Sequence, residues 1–570
     1  MPSDLFKKGI SVFTKRQTNI LSAALILMVT VILSQILGIV RQRLLVSVFG
    51  ASDTLGVYLA SSKLPDFIFQ LVIAGALSSA FIPVFTDLLA KNKKEEANKM
   101  ASTVLCLGLL VFSFLGSFLF IFAPIFLQIL NLGSGFSPDQ MTLMTNLMRV
   151  ILIGELIFLV GSFFSSMLQS HNHFFIPGIA AALYNLGIII GILFLNKFIG
   201  IYSPAVGVIL GSLIFMVVQL PLVREVGFKF RLNFSFKTVG ISSVSRLMWP
   251  RTLSIVVFQI GTIITLSLIS FIPQSGRNYV IFDYAQTLAF APIVLFGQTI
   301  AQAAFPILSR ERHNLSDFRQ TFLTSFNQTL YLVLPVSAIL LILRIPVVRL
   351  IYGAGQFDWQ ATVLTGRTLG FFTLSIFAQA LSYLAYRGFY ALHDTKTPLI
   401  IGSITTGIML LLSALFVLSW EPFFDKLAYN YQDSIRLIPT GVETIALAFS
   451  ITSILNIALL MFFLNRRVGG IFNKELFFLP QLKILISAFA MGFALYIPIK
   501  LLDQLVFDTT RTINLLLLTG ISSIAGFSLY LFLTWFFNVK EASTFLLLFR
   551  HLGNWREILG KSQSIIETKP

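Results

Sequence analysis

Ionisable side chains interrupt several of the long apolar runs of this chain. They are Arg41, Arg43, Lys63, Asp66, Glu155, Arg246, Arg251, Asp283 and Arg367. A charged group costs free energy in lipid, so such residues usually face a protein cavity. Cations outnumber anions in this set, and Lys and Arg are the side chains that bind phosphate oxygens. The set predicts a site for an anionic phosphate or pyrophosphate group, although each residue alone fits a snorkelling side chain or a structural ion pair equally well.

The composition places these residues in a membrane protein. Hydrophobic residues make up 56% of the 570 residues, charged residues make up 11%, and the mean hydropathy is +0.86. A soluble protein of this size would not carry so little charge on its surface. The apolar runs predict an all-α polytopic fold of fourteen transmembrane helices. Their approximate ranges are 19–48, 57–90, 97–131, 139–167, 174–196, 203–221, 238–271, 279–308, 319–346, 360–391, 396–420, 441–464, 482–501 and 512–538.

The apolar runs repeat in order about 222 residues apart, with the same punctuation. Four pairs mark the repeat: Pro83 and Pro306, Pro124 and Pro346, Gly133 and Gly355, and Pro177 and Pro398. Internal repeats with a site at their interface are typical of transporters. The predicted parts are a cytoplasmic N-terminus (1–18), a lobe of helices 1–6 (19–221), a cytoplasmic linker (222–237), a lobe of helices 7–12 (238–466), helices 13–14 (482–538) and a cytoplasmic tail (539–570).

Two local predictions accompany this organisation. Loops 168–174 and 387–397 should occupy equivalent positions in the two repeats, each followed by a helix that begins near Pro177 or Pro398. Apolar and basic residues alternate at helical spacing over 540–567, which predicts an amphipathic helix on the inner leaflet.

The distribution of basic residues predicts the orientation of the chain. With both termini cytoplasmic, the inner segments contain 26 Lys and Arg residues and the outer loops contain six. This asymmetry follows the positive-inside rule. The net charge of +17 is therefore attributed to contact with anionic membrane lipids, and a nucleic-acid partner is not expected.

Sequence patterns of common enzymes are absent. The chain has no GxxxxGK[ST] phosphate loop, no HExxH metal motif and one cysteine, Cys106. We therefore expect a transporter without a cofactor or metal site, rather than an enzyme.

Five segments carry a family likeness. They read SQILGIVRQRLLVSVFGAS (34–52), KLPDFIFQLVIAGALSSAFIPVF (63–85), FPILSRE (305–311), RIPVVRLIYGAGQFD (344–358) and RGFYALHDTKTP (387–398). Together they resemble the MurJ (MviN) lipid II flippases of the MOP exporter superfamily, and the resemblance extends over nearly the whole chain.

The resemblance implies a bacterial inner-membrane protein that acts in peptidoglycan synthesis and cell-wall biogenesis. It implies two six-helix lobes around a central cavity, with helices 13 and 14 forming a groove for an undecaprenyl tail. The implied cargo is an undecaprenyl-pyrophosphate-linked precursor, moved outward by alternating access and coupled to the membrane potential or an ion gradient. Cell-wall synthesis proteins are candidate partners.

Several family motif positions match. The matching residues are Gly38 and Arg41 in helix 1, Lys63 and Pro65 in helix 2, Pro83 in AFIPVF, and Asp394, Thr395 and Pro398 in HDTKTP. We expect Arg41, Lys63 and Arg251 to contact the anionic head group, and the other matching residues to have structural roles.

Neutral residues stand where the family usually has charges in helices 1, 2 and 8. They are Gln35, Gln42, Gly56, Phe69, Gln70, Ala74, Gln286, Thr287 and Phe290. Asp66 conversely replaces an asparagine. Because a neutral amide attracts a pyrophosphate much less than a desolvated arginine does, these changes predict a less charged cavity than is usual.

Other functions fit parts of this pattern. The chain could flip a different polyprenyl-linked saccharide, exchange small molecules as the related MATE antiporters do, or serve as a non-transporting scaffold for cell-wall enzymes. The additional helices 13 and 14, and the lack of a recognisable buried carboxylate cluster for ion coupling, argue against an antiporter.

Overall fold

The computed structural model describes residues 20–76, 80–130, 135–420, 441–505 and 512–542, and all regular secondary structure in these ranges is helical. The helices are α1 (Ile20–Phe49), α2 (Asp53–Ala76), α3 (Ile82–Ala90), α4 (Lys94–Ile129), α5 (Pro138–Ser170), α6 (Phe175–Ile199), α7 (Tyr202–Glu225), α8 (Ile241–Ile269), α9 (Ser275–Pro292), α10 (Thr299–Glu311), α11 (Leu315–Ile342), α12 (Arg344–Tyr352), α13 (Trp359–Ala391), α14 (Lys396–Leu415), α15 (Val442–Val468), α16 (Leu479–Leu505) and α17 (Thr512–Phe536). Three π-helical turns, Ile293–Gln298, Phe416–Trp420 and Lys474–Phe478, adjoin α10, α14 and α16.

Twelve helical spans among the described residues are long and apolar enough to cross a membrane, so the chain has the fold of a polytopic membrane protein. The continuous helix Ser275–Glu311, made of α9, a π-helical turn and α10, counts as one span. α2 and α8 are not among the twelve. α2 contains Asp53, Lys63 and Asp66 within 24 residues, which makes it less apolar than its neighbours. α8 carries Arg246 and Arg251 before its apolar stretch Ile255–Ile269.

The loops before α6 and α14 have the same backbone geometry, 221 residues apart. Asn172 and His393 adopt left-handed conformations with φ of 63° and 58°. The N–H after each of them donates to a carbonyl five residues back, at 2.9 Å in both loops. Each following helix begins two residues before its proline, Pro177 or Pro398, where the missing N–H leaves no helical bond unmade. The predicted helix starts are therefore confirmed. Of the predicted tail helix, residues 543–567 lie outside the described residues.

The chain divides into two compact units by its contacts. The first contains the described residues of 1–282, 351–362 and 410–445, and the second contains those of 283–350, 363–409 and 446–570. The core of the second unit consists of apolar side chains from α10, α11, α13 and α15–α17, including the fully buried Phe322, Leu384 and Leu460.

Glycines allow close helix packing in the first unit. Gly187 and Gly191 of α6 lie against Gly211 and Gly207 of α7, and a Cβ on Gly187 would lie 2.4 Å from the Cα of Gly211. Small residues four apart on each helix let the backbones approach in the way that membrane helices commonly associate. α5 packs against the same helix, since Gly154 faces Val208 of α7. This packing fixes the relative positions of α5 and α6, which carry two side chains of the candidate site.

Asp394 ties the start of α14 to α15. Its carboxylate is 8% exposed, accepts bonds from the N–H of Lys396 and of Thr397 at 3.1 and 3.0 Å, and accepts a third from the Thr397 hydroxyl at 2.8 Å. Arg467 of α15 donates to it at 2.6 Å. Burial alone would raise the pKa of Asp394, but the bonds from Thr397 and the charge of Arg467 outweigh it and hold the pKa below its ordinary value.

We predict that Asp394→Ala lowers the free energy of unfolding by about 2 kcal/mol, because it removes charge-assisted bonds to two helices. The native contribution is present above the ordinary carboxyl pKa and is lost as the pH falls through the lowered pKa of the folded protein. Thermal unfolding in detergent micelles at pH 7 and at decreasing pH measures both effects. Thr395→Ala, at the exposed neighbouring position, is the control, and an equal loss in that variant would contradict this assignment.

Candidate functional site

A cluster of polar side chains lies inside the first unit. Arg41 of α1 and Asp66 of α2 act electrostatically on Tyr58 of α2 and Tyr184 of α6, and Glu155 of α5 acts on the same two tyrosines. Asp66 also acts electrostatically on Glu155. Four helices therefore bring one cation, two carboxylates and two phenols together.

The cluster is largely shielded from solvent. Glu155 is 6% exposed and Tyr58 is 7% exposed. The Nε of Arg41 is buried and has no hydrogen-bond partner within the described part of the chain. An unsatisfied donor on a buried guanidinium is costly. Arg41 thus retains a donor for an anionic ligand, within a cluster whose two carboxylates oppose its charge.

Asp66 lies near enough to Glu155 to act on it electrostatically, but Asp66 is only half-buried, and the described residues hold no group of three or more acidic, histidine or cysteine side chains placed to hold a metal ion. Glu155 and Asp66 lie on different helices, 89 positions apart in the sequence. Only the packing of α2 against α5 brings them together. No periodicity within either helix could reveal which faces meet.

Aromatic rings pack beside this cluster. The ring of Phe158, three residues after Glu155, lies 4.7 Å from that of Tyr184, 4.6 Å from that of Phe215 and 5.2 Å from that of Phe69, measured between centroids. Phe69 occupies a position where the resemblance leads one to expect arginine. The chain has replaced a charge at this position by a contact in an aromatic cluster, which stabilises the packing of α2 on α5.

The other predicted head-group residues are placed differently. Lys63 of α2 lies over the ring of Tyr279 of α9, with its Nζ 5.7 Å from the ring centroid, so Arg41 and Lys63 engage different aromatic side chains. Arg251 lies on α8, and its side chain is outside the described residues. Pro65 is buried within α2 and Pro83 is the exposed second residue of α3.

The C-terminal part of α1 is bound to the end of α12 and to the segment that follows it. Gln42 accepts a hydrogen bond of 3.1 Å from the Tyr352 hydroxyl, and Arg43 donates to the Ile351 carbonyl at 3.1 Å. One turn later, the Ser47 carbonyl accepts from the N–H of Gln356 at 2.9 Å. These contacts join residues more than 300 positions apart in the chain.

A second set of contacts joins the start of α2 to the start of α9. The Asp53 carboxylate accepts the N–H of Arg277 at 2.9 Å, and the Arg277 guanidinium pairs with Asp358 at 3.1 Å. Between them, Gly56 meets Gly276 so closely that a Cβ on Gly56 would lie 2.0 Å from the Gly276 carbonyl oxygen. We call these two sets of contacts, from α1 to 351–356 and from α2 to 276–277 and 358, the end lock.

The second unit contains a neutral polar network. The amide nitrogen of buried Asn456 donates to Ser382 at 3.1 Å and to the Tyr386 hydroxyl at 3.0 Å, and its amide oxygen accepts from Thr405 at 3.2 Å. The network joins α13, α14 and α15 and satisfies buried polar groups without using charge.

Comparison with known proteins adds family information to this geometry. A family profile described as "Lipid II flippase MurJ" matches residues 45–514. A probable lipid II flippase MurJ of Buchnera aphidicola from Acyrthosiphon pisum is 27% identical over 498 residues, which cover 85% of this chain and 91% of that protein. A probable lipid II flippase MurJ of Thermotoga maritima is also 27% identical, over 80% of this chain and 86% of its own length.

Solved structures share the fold. A lipid II flippase MurJ in an inward closed conformation superposes with a TM-score of 0.69 at 23% identity, covering 89% of this chain and 98% of that one. An inward-facing multidrug resistance MATE family transporter of the MOP superfamily superposes with a TM-score of 0.61 at 14% identity, over 77% of this chain and 95% of its own. At these identities the likeness concerns the fold.

We predict that Glu155→Gln raises the free energy of unfolding by about 1 kcal/mol, because it removes one of two like charges from an apolar interior while keeping the side-chain shape. The same change should impair transport if the cluster is functional. Thermal unfolding and complementation of a flippase-depleted bacterium measure the two effects.

Asp139→Asn is the matched control, since Asp139 is an exposed carboxylate on the same helix. It should leave both measurements nearly unchanged. A clear loss of stability in Glu155→Gln would instead mean that Glu155 is needed to balance Arg41.

Proposed function

The chain belongs to the lipid II flippase MurJ family, and we propose that it moves lipid II, the undecaprenyl-pyrophosphate-linked peptidoglycan precursor, from the inner to the outer leaflet. The observation that carries this proposal is the family match across residues 45–514, over a polytopic helical fold. The chain is a multi-pass protein of the bacterial inner membrane, and its substrate is a lipid-linked molecule.

We propose that Arg41 binds the pyrophosphate of the head group. Its buried Nε lacks a partner among the described residues, and an arginine fork matches two phosphate oxygens. Lys63 and Arg251 are proposed as further contacts, with Lys63 released from the Tyr279 ring when the head group is bound. The carboxylates of Glu155 and Asp66 partly offset the positive charge of Arg41. The attraction of Arg41 for an anion is therefore weaker, so that the anion can be released.

We propose that transport proceeds by alternating access in which the end lock opens and closes. The lock includes several polar contacts and a glycine–glycine approach. Such contacts exchange with water at small net cost, so the lock can break and reform in each cycle.

We propose fourteen transmembrane segments. Two are added to the twelve apolar spans: α2 and α3 together form one, and α8 forms the other. The fourteen segments would form two repeat lobes and a final pair, α16 and α17, that receives the lipid tail. The shared loop geometry 221 residues apart supports the repeat.

Both termini are proposed to be cytoplasmic. The two ends of α13 test this: cysteine at exposed Thr395, just beyond its C-terminal end, should react with an impermeant thiol reagent only from inside, and cysteine at exposed Trp359 only from outside. A Cys106→Ser background removes the native thiol. Reaction of Thr395→Cys from outside would reverse the assignment.

We propose that the chain catalyses no chemical reaction and uses the membrane potential or an ion gradient. Buried Glu155 and half-buried Asp66 support an ion-gradient contribution, since carboxylates in membrane helices commonly mark ion pathways. Cell-wall synthesis proteins are proposed partners. The family match favours lipid II over the MATE-like antiporter, a different polyprenyl-linked cargo or a scaffold.

Gly56→Ala should hold the end lock open, because the added Cβ cannot fit against the Gly276 carbonyl. We expect loss of complementation and faster thiol labelling of a cysteine placed at exposed Gln360, which accepts a bond from Arg277. Gly407→Ala is the matched control, since no atom lies within 4 Å of its added Cβ. Full activity of Gly56→Ala would show that closure of the lock is dispensable.

Arg41→Ala should abolish complementation at near-normal membrane abundance, whereas Arg41→Lys should retain partial function because it keeps the charge but loses the fork. Native mass spectrometry of the purified variants should show a parallel loss of bound undecaprenyl-pyrophosphate lipid. Lys197→Ala removes an exposed cation from the same unit and should behave as the parent. If Arg41→Ala complements as well as the parent, Arg41 does not bind the head group.

A further inference from the structure

A polar cavity of about 410 Å³ opens within the second unit. It lies between the first half of α11, the π-helical turn with the start of α16, and the residues after α17. Its polar lining residues are Gln320, Thr324, Asn327, Gln328, Glu475, Lys483, Asn538, Lys540 and Glu541. This volume falls in the range of small-molecule sites.

The cavity lies where lipid-facing helix surface meets water. Leu476 and Leu479 line it and are 47% and 44% exposed, and Leu482 beside it is 55% exposed. Trp535 and Phe536, at the end of α17 just before the lining residue Asn538, are 60% and 62% exposed. Exposed aromatic residues at the end of an apolar span are typical of the head-group level of a bilayer.

The polar groups of the cavity combine both charges with an unused acceptor. Lys483 and Lys540 provide ammonium groups, and Lys483 donates to the Phe537 carbonyl at 2.7 Å, which occupies one of its three N–H donors. Glu475 and Glu541 provide carboxylates, and burial raises the pKa of Glu541. Asn327 is 6% exposed, and its Oδ1 is buried without a partner in the described ranges. A ligand that carries only phosphate, or only an amine, would leave half of these groups unmatched.

We propose that this cavity binds the head group of phosphatidylethanolamine, which joins a phosphodiester to a primary ammonium. The phosphate lies between Lys483 and Lys540, and the ammonium donates to Glu475, Glu541 and the Asn327 Oδ1. The acyl chains lie along Leu476, Leu479 and Leu482. Phosphatidylglycerol lacks the ammonium, and the methylated ammonium of phosphatidylcholine has no N–H to donate.

Native mass spectrometry of the full chain tests this assignment. The delipidated protein is mixed with equal amounts of phosphatidylethanolamine, phosphatidylglycerol and phosphatidylcholine, and the first bound lipid is identified. We expect phosphatidylethanolamine to be retained about tenfold over either competitor, since two or three hydrogen bonds separate them. The double variant Glu475→Gln/Glu541→Gln should lose this preference, while Glu95→Gln/Glu96→Gln, with two carboxylates on α4, should keep it.

A second variant fills the cavity and leaves its charges in place. Thr324 is an exposed lining residue, so Thr324→Trp should block the head group without disturbing the core. Equal retention of the three lipids by the parent, or unchanged preference in both the double variant and Thr324→Trp, would overturn the proposal. Displacement of the lipid by soluble phosphoethanolamine at equal concentration would assign the cavity to a water-soluble ligand instead. The readout is independent of flipping, so it stands apart from the proposed transport activity.

Discussion

The cost of placing charge inside an apolar helix bundle governs the arrangement of the first unit. Glu155 lies almost fully buried near Tyr184 of α6, and the like charge of Asp66 on α2 adds to the cost of holding a carboxylate there. The glycine contacts between α6 and α7 set how closely α6, which carries Tyr184, approaches α7. A larger residue at Gly187 would therefore disturb both the packing and the electrostatic balance of the cluster.

The same cost explains why the end lock is built differently from the cluster. At helix ends water is near, so Asp53, Arg277 and Asp358 can separate and be solvated. Within the bundle, separation of Glu155 from its polar neighbours would leave a charge in apolar surroundings. The structure therefore combines a polar cluster that should persist through a cycle with peripheral contacts that can exchange.

Much of the fold follows from sequence because apolar length and proline position act locally. The starts of α6 and α14 were predictable from Pro177 and Pro398, since a missing N–H is tolerated in the first turn. Contacts between distant helices were not predictable. The bond between Gln42 and Tyr352 joins residues 310 apart, and the meeting of Glu155 with Asp66 depends on the rotation of two helices about their axes. The cavity beside α11 and α16 was missed for the same reason, because its lining comes from three separate segments.

Three of the neutral residues that replace usual family charges make a specific contact. Gln42 accepts a hydrogen bond from Tyr352, the Phe69 ring packs at a tilt against that of Phe158, and Gly56 lies against Gly276. An aspartate at position 56 could not make that approach, because even a Cβ would overlap the Gly276 carbonyl. Loss of charge at these positions has therefore been accompanied by closer packing and hydrogen bonding. If Arg41 binds the head group as proposed above, a larger share of the attraction rests on this one guanidinium, because its usual charged neighbours are replaced by neutral residues.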